Sequence, residues 1–293
     1  MKQLQKAGAI GLVVSSLLML FSADVVAGGN KAMVEPIFTR YARIYQAPTL
    51  DFRTEFFKDK PMEEATDFDG YSLTLDFTWP INDRSQIQLF MPFYTSGEGV
   101  YDRPGEPFDG ADVDIEGWGG VREFPSIIYE RRFLWLEDKT GANVAWLAGI
   151  GRRLDTLLVE AGGDEIDRFN HSGYNWQLGF KMDGDIQQGS MTLLGNLRYV
   201  RFNDSDDINL TGDDVNFGVL YATGAVMFND YGRFTPVLEA ILEADFEDYT
   251  AFSLAPEVIY TLSDNFDVKF GFPFRLTSDG QKYAADLELT YRF

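Results

Sequence analysis

The sequence predicts an all-β fold: a closed, antiparallel transmembrane β-barrel of about twelve strands, with ten or fourteen as the alternatives, in the outer membrane of a bacterial cell. Three observations predict it. The chain ends in a strand with one greasy face and one charged face. Period-two alternation recurs along most of the sequence. Long and short connections take turns between the alternating runs.

In the last stretch, Leu287, Leu289, Tyr291 and Phe293 share one face, and Asp286, Glu288, Thr290 and Arg292 share the other. Such a strand meets lipid with one row and a wet lumen with the other. The apolar row ending in Phe293 is read as the membrane-insertion signal, the part offered to the barrel-insertion machinery.

At the other end, Lys2 and Lys6 supply positive charge, Ala7–Phe21 is an apolar run, and Val25-Val26-Ala27 offers a cleavage site. This pattern predicts a secretory signal peptide over residues 1–27. The run is shorter than the roughly 20 residues a spanning helix needs. Residues 28–48 are read as a periplasmic N-terminal segment and a candidate plug, and residues 49–293 as the barrel. Met33–Tyr45 competes with Thr49–Phe57 for the place of first strand.

The candidate strands are Thr49–Phe57, Gly70–Pro80, Gln86–Tyr94, Glu123–Phe133, Asn143–Gly151, Gly173–Asp183, Ser190–Phe202, Val215–Phe228, Arg233–Glu243, Ala251–Leu262, Phe266–Leu276 and Tyr283–Phe293. In Gly173–Asp183, Tyr174, Trp176, Leu178, Phe180 and Met182 oppose Asn175, Gln177, Gly179 and Lys181. Short links such as Ile81–Ser85 and Ser263–Asn265 alternate with long ones such as Thr95–Arg122. Barrels of this class have short periplasmic turns and longer external loops. An even strand count then puts both chain ends on the periplasmic side. A soluble β-sandwich would alternate too. The bulk of the apolar residues, the length of the runs, the leader and the terminal Phe argue for the barrel, whose closure pairs every backbone group without an edge.

The formal net charge is −21, which argues against a nucleic-acid partner. There is no cysteine, so no disulfide framework holds an exported chain of this kind together. The expected partners are outer-membrane lipids, lipopolysaccharide and a small solute.

Two stretches resemble each other. Ile81–Phe93 and Leu262–Phe274 each run from a polar turn through an alternating strand to Pro and an aromatic residue. This pattern resembles the outer-membrane family named after the MetA pathway of phenol degradation, whose members are described as transporters or channels. The resemblance implies a passage for a small, apolar or aromatic solute. It supplies no catalytic residue. An uncharacterised barrel family fits the same pattern.

The single histidine, His171, precedes Ser172, and neighbouring strand residues point to opposite faces, so a Ser–His pair is not built in. The expectation is a chain that is not an enzyme and carries no cofactor. A lipid-modifying barrel enzyme and a structural or adhesive barrel with a plugged lumen are the other readings. Acidic loops, Asp102–Glu116 and Asn203–Asp214, hold the oxygen ligands a divalent ion uses, without the spacing of a calcium loop. The lumen is where function is expected. The sequence places Glu130, Arg132, Lys181, Arg198, Glu239, Glu257, Lys269, Arg275, Asp286, Glu288 and Arg292 on its wall as a charge network. Lys269 and Arg275 are expected to pair with Glu257, Asp286 or Glu288.

Overall fold

The computed structural model describes residues 33–293, apart from 63–64, 103–104, 106, 121–122, 134–141, 154–155, 170–172, 187–188, 206–215 and 246–247. The expected signal peptide, His171, Ser172 and the acidic residues within 206–215 lie outside the described residues.

Sixteen strands are present among the described residues. They are β1 (Thr49–Lys58), β2 (Ala65–Asn82), β3 (Ser85–Tyr101), β4 (Asp112–Trp118), β5 (Ser126–Arg132), β6 (Asn143–Arg152), β7 (Thr156–Ala161), β8 (Asp164–Phe169), β9 (Tyr174–Ile186), β10 (Met191–Asn203), β11 (Phe217–Phe228), β12 (Phe234–Ala244), β13 (Thr250–Ser263), β14 (Phe266–Gly271), β15 (Phe274–Arg275) and β16 (Tyr283–Arg292). Hydrogen-bonded neighbours run β2-β1-β16-β14-β13-β12-β11-β10-β9-β6-β5-β3, and β3 pairs with β2 to complete the circuit. With β15 continuing β14, twelve antiparallel strands close the barrel. The seam is the pairing of β1 with β16, from Thr49 opposite Arg292 to Lys58 opposite Tyr283.

The alternation in sequence becomes the two faces of the wall. On β9, Trp176, Leu178, Phe180 and Met182 are exposed while Asn175, Gln177, Lys181 and Asp183 are buried. The same inversion recurs at Leu89 and Met91, Ile127, Leu193 and Leu197, Leu238 and Phe270, all exposed. A soluble protein does not present so large a contiguous apolar surface to water. A lipid bilayer accepts it, and the closed ladder leaves no unpaired edge within the wall.

Two strand boundaries shift for one reason. The expected strand Glu123–Phe133 starts only at Ser126, after Pro125. The expected strand Phe266–Leu276 breaks at Phe272-Pro273 into β14 and β15. Proline has no N–H to give the ladder.

The external side carries a part that the periodicity did not predict. β2 and β3 run on past the wall, β4 pairs with the outer half of β3, β7 pairs with β4, and β8 pairs with β7. Phe57, Phe68, Tyr101, Val113, Ile115, Leu157 and Val159 form its buried core. Its strands are short and lie in stretches that lack sustained apolar alternation: β4 offers Val113 and Ile115 between acidic residues, and β7 only the run Leu157-Leu158-Val159. Gly97 is required where this sheet leaves the wall. A Cβ there would lie 2.4 Å from the Asp69 carbonyl oxygen, closer than any side chain tolerates.

Residues 33–48 form no strand. Ile37, Tyr41, Ala42 and Ile44 are buried all the same, because the segment lies within the barrel against inward side chains. Met33, Val34 and Tyr41 pack on inward Leu194, Ala225, Met227, Val237 and Ile259, the apolar patch of the lumen on β10–β13.

Candidate functional site

The lumen wall is built in rows, because strand register fixes which inward side chains stand level. Across β2, β1, β16 and β14 one row reads Asp76, Asp51, Thr290, Asp267. The next reads Thr74, Arg53, Glu288, Lys269, and the third reads Ser72, Glu55, Asp286, Gly271. Two acidic rows therefore flank one mixed row.

Several carboxylates are answered from the wall. Lys269 reaches Glu288 at 2.6 Å, and Lys181 reaches Glu130 at 2.7 Å. Arg292 pairs with Asp267 and also donates to the carbonyl of Met33. Thr290 donates to Asp51, and Lys60 pairs with Glu55 at 2.5 Å. The wall cations are thus largely taken by wall anions.

Others are answered by residues 35–45, while both carboxylate oxygens of Asp286 are buried without a hydrogen-bond partner among the described residues. A segment without secondary structure carries bare N–H groups, and burial makes an unpaired one costly. Those of residues 37–43 and of Tyr45 find a side chain. Ile37 N–H donates to Glu257 at 3.1 Å, and Phe38 and Thr39 N–H donate to Glu239 at 3.2 and 2.8 Å. With its amide turned so that the oxygen meets the N–H and the nitrogen the carbonyl, Asn196 accepts the Arg40 N–H and donates to the Arg40 carbonyl, both at 2.8 Å. Ala42 and Arg43 N–H donate to Asp183 at 2.9 and 3.2 Å, and Tyr45 N–H donates to Gln86 at 2.9 Å.

The guanidinium groups of the segment complete the pattern. Arg40 sits 2.6 Å from Glu35, 3.3 Å from Asp51 and 3.3 Å from Glu288. Arg43 sits 2.6 Å from Asp183 and 3.1 Å from Asp185. One chain of contacts therefore crosses the lumen: Lys181, Glu130, Gln86, Tyr45, Glu35, Arg40, Glu288, Lys269. Burial pushes the Glu35 carboxyl up, but Arg40, Lys269 and the Tyr45 hydroxyl outweigh it and hold it below its ordinary value. The Arg40–Glu35 contact therefore persists at mildly acidic pH. It is lost only as the pH falls through that lowered value.

On the external side of Ile37, Phe38 and Arg40 lies a cavity of about 360 Å³. Its wall includes Phe90, Phe124, Phe202, Tyr221 and Tyr249 together with Arg53 and Arg198. Arg198 stands 4.9 Å from the centre of the Tyr221 ring and donates to Gln177 at 3.3 Å.

The expected wall residues separate into groups. Glu130, Lys181, Glu239, Glu257, Lys269, Asp286, Glu288 and Arg292 are buried and face inward, Arg198 is half-buried beside the cavity, and Arg132 is half-buried near the end of β5. Leu287, Leu289 and Tyr291 occupy the outward row of β16, and Phe293 is exposed. Arg275 departs from its expected pairing. It meets Asp59 at 3.2 Å and the Gly280 carbonyl at 2.7 Å at the external rim, because the break at Pro273 carries it away from β14. Among the described ion pairs Glu257 takes no lysine or arginine; it accepts the N–H of Ile37 instead. Sequence reasoning missed Glu35, Arg40, Arg43 and Asp183. The available signal was the surplus of inward acids with no cation on a neighbouring strand. Among the described residues no group of three acidic or histidine side chains is arranged to hold a metal ion.

No protein-family model matches the chain, and no curated protein does. Solved structures do match. The chain is similar to the COG4313 outer membrane channel from Pseudomonas putida F1, with a TM-score of 0.54 and 9% identity over 92% of this chain and 100% of that one. It is similar to the beta domain of the Bordetella autotransporter BrkA, with a TM-score of 0.52 and 11% identity over 85% of this chain and 100% of that one. It is similar to the translocator domain of the autotransporter NalP from Neisseria meningitidis, with a TM-score of 0.51 and 12% identity over 99% and 98%. The likeness does not single out the family of the MetA pathway. It also corrects one expectation. At these identities the likeness shows the fold alone, and the fold does not make this chain a non-enzyme. What fold and lipid-facing surface establish together is a β-barrel of the bacterial outer membrane.

Proposed function

We propose that the barrel is a channel for a small solute and that residues 33–48 hold it shut. One observation carries this reading. The segment that fills the lumen forms no strand of the wall, and its contacts to the wall are largely hydrogen bonds and ion pairs that water can replace. Its withdrawal would leave the barrel ladder intact. The charged residues of the wall then form the lining of the passage. The aromatic walls of the cavity support the apolar or aromatic solute that the MetA-pathway resemblance implies. The outward row of β16, Leu287, Leu289 and Tyr291 with Phe293, is proposed as the signal read by the insertion machinery.

The test is single-channel recording in planar bilayers with the full chain and its E239A/E257A variant. That variant strips Ile37, Phe38 and Thr39 of their N–H acceptors. Losing such bonds costs about 1 kcal/mol or more each, which should raise the open population on the order of a hundredfold. The wild-type chain is expected to open rarely and the variant in frequent bursts. A folded variant that stays silent and passes no solute would favour the other reading, a structural barrel with a permanent plug.

A further inference from the structure

We infer that the unblocked lumen selects cationic, N–H-rich solutes of the short basic peptide class, and that residues 37–43 occupy the solute's place as an internal stand-in. The inference rests on the channel reading above, but it follows the lumen carboxylates rather than the aromatic cavity and so names a solute class other than the apolar or aromatic one that the resemblance implies.

The evidence is what the wall recognises. Carboxylates from three separate strands, Glu257 on β13, Glu239 on β12 and Asp183 on β9, accept backbone N–H groups of consecutive parts of the segment. Asn196 on β10 pairs with both the N–H and the carbonyl of Arg40. None of these contacts reads a side chain, so any extended peptide could make them. Charge is read separately. The Arg40 guanidinium lies between Asp51 and Glu288. The Arg43 guanidinium lies on Asp183.

The charge balance after withdrawal favours the same class. Among the described ion pairs, Asp51 has Arg40 as its cationic partner and Asp183 has Arg43, while Glu239 and Glu257 have none. Lys269 and Lys181 remain with Glu288 and Glu130. Departure of the segment thus bares Asp51, Asp183, Glu239 and Glu257 around the passage. Arg53, which stands over the Phe38 ring, is the cation it uncovers. Rings of carboxylates in a narrow, low-dielectric pore attract cations and repel anions. A peptide supplies both the N–H donors and the positive charge that these groups lose.

The test uses the full chain carrying R40Q/R43Q, which loosens the segment and leaves every wall carboxylate in place. Folding is checked by heat-modifiable electrophoretic mobility. Currents are recorded under a potassium chloride gradient, first alone, then with a short peptide carrying two arginines, then with the same peptide carrying glutamine in their place. The expected result is a cation-selective reversal potential and block by the arginine peptide, with the glutamine peptide about tenfold weaker. A current that is anion-selective, or that both peptides block equally, overturns the inference and leaves the channel reading standing. A folded variant without current overturns both. Should the double variant fail to assemble, R40Q and R43Q are measured singly, with the same outcomes deciding.

Discussion

Replacing Glu288 with glutamine is expected to destabilise the barrel by about 3–5 kcal/mol, one of the two largest effects foreseen for a single substitution. The Lys269 side chain is 0% exposed, and its ammonium group meets the Glu288 carboxylate at 2.6 Å. Glutamine keeps the volume and one acceptor but removes the charge. A buried ammonium that loses its contacting counter-charge costs far more than a lost surface pair, since Glu288 is the carboxylate within ion-pair distance of Lys269 among the described ion pairs. Arg40 would also lose one of its three carboxylates and keep Glu35 and Asp51. Urea unfolding from lipid vesicles measures the change. K269M/E288Q should recover part of the loss, because it no longer buries an unpaired charge. A drop below about 1 kcal/mol for E288Q would mean that water solvates Lys269 and that the lumen is wet at this level. Channel recordings on the same protein should show more frequent opening, because one anchor of residues 33–48 is gone.

The Glu288–Lys269 pair was legible in the sequence because it depends on local rules alone. Both residues sit on the polar face of strongly alternating strands that neighbour each other in the chain, so register brings them level. The same rules exposed all the wall strands, since lipid forces a strict apolar row that a soluble sheet would not need. They failed where the ladder is interrupted, as Arg275 shows, and where a few apolar residues build a small external sheet, as Val113, Ile115, Leu157 and Val159 show.

What the segment before the barrel touches was beyond those rules. Residues 33–48 alternate weakly enough to compete for the first strand, yet the seam of β1 with β16 leaves no room for another strand there. Their partners lie up to 259 positions away, as Met33 and Arg292 do, and no period links them. The trace they left was indirect. Inward Asp183, Glu239 and Glu257 exceed what neighbouring strands neutralise, and the run Thr39-Arg40-Tyr41-Ala42-Arg43 carries positive charge in an acidic chain. Read together, those two facts point to an internal partner of opposite sign.

The other large effect is expected on the opposite face. Phe180 lies mid-strand on β9, 56% exposed, level with Trp146 of β6 and Leu197 of β10. If that face meets the hydrocarbon core, F180R should cost about 2–4 kcal/mol, the price of an arginine near the bilayer midplane. The same change at Ile186, at the end of the same strand and on the same face, should cost no more than about 1 kcal/mol, because the headgroup region solvates the guanidinium. Unfolding of both variants from vesicles measures the difference. Water around the barrel would predict the reverse ranking or none, since an exposed phenylalanine on a soluble sheet gains solubility when exchanged for arginine. Equal, small costs at Phe180 and Ile186 would therefore overturn the lipid-facing assignment of the outward row. A steep difference would fix the depth of β9 in the membrane, and through the shared ladder the depth of Asp183 and the level at which residues 42–43 are held.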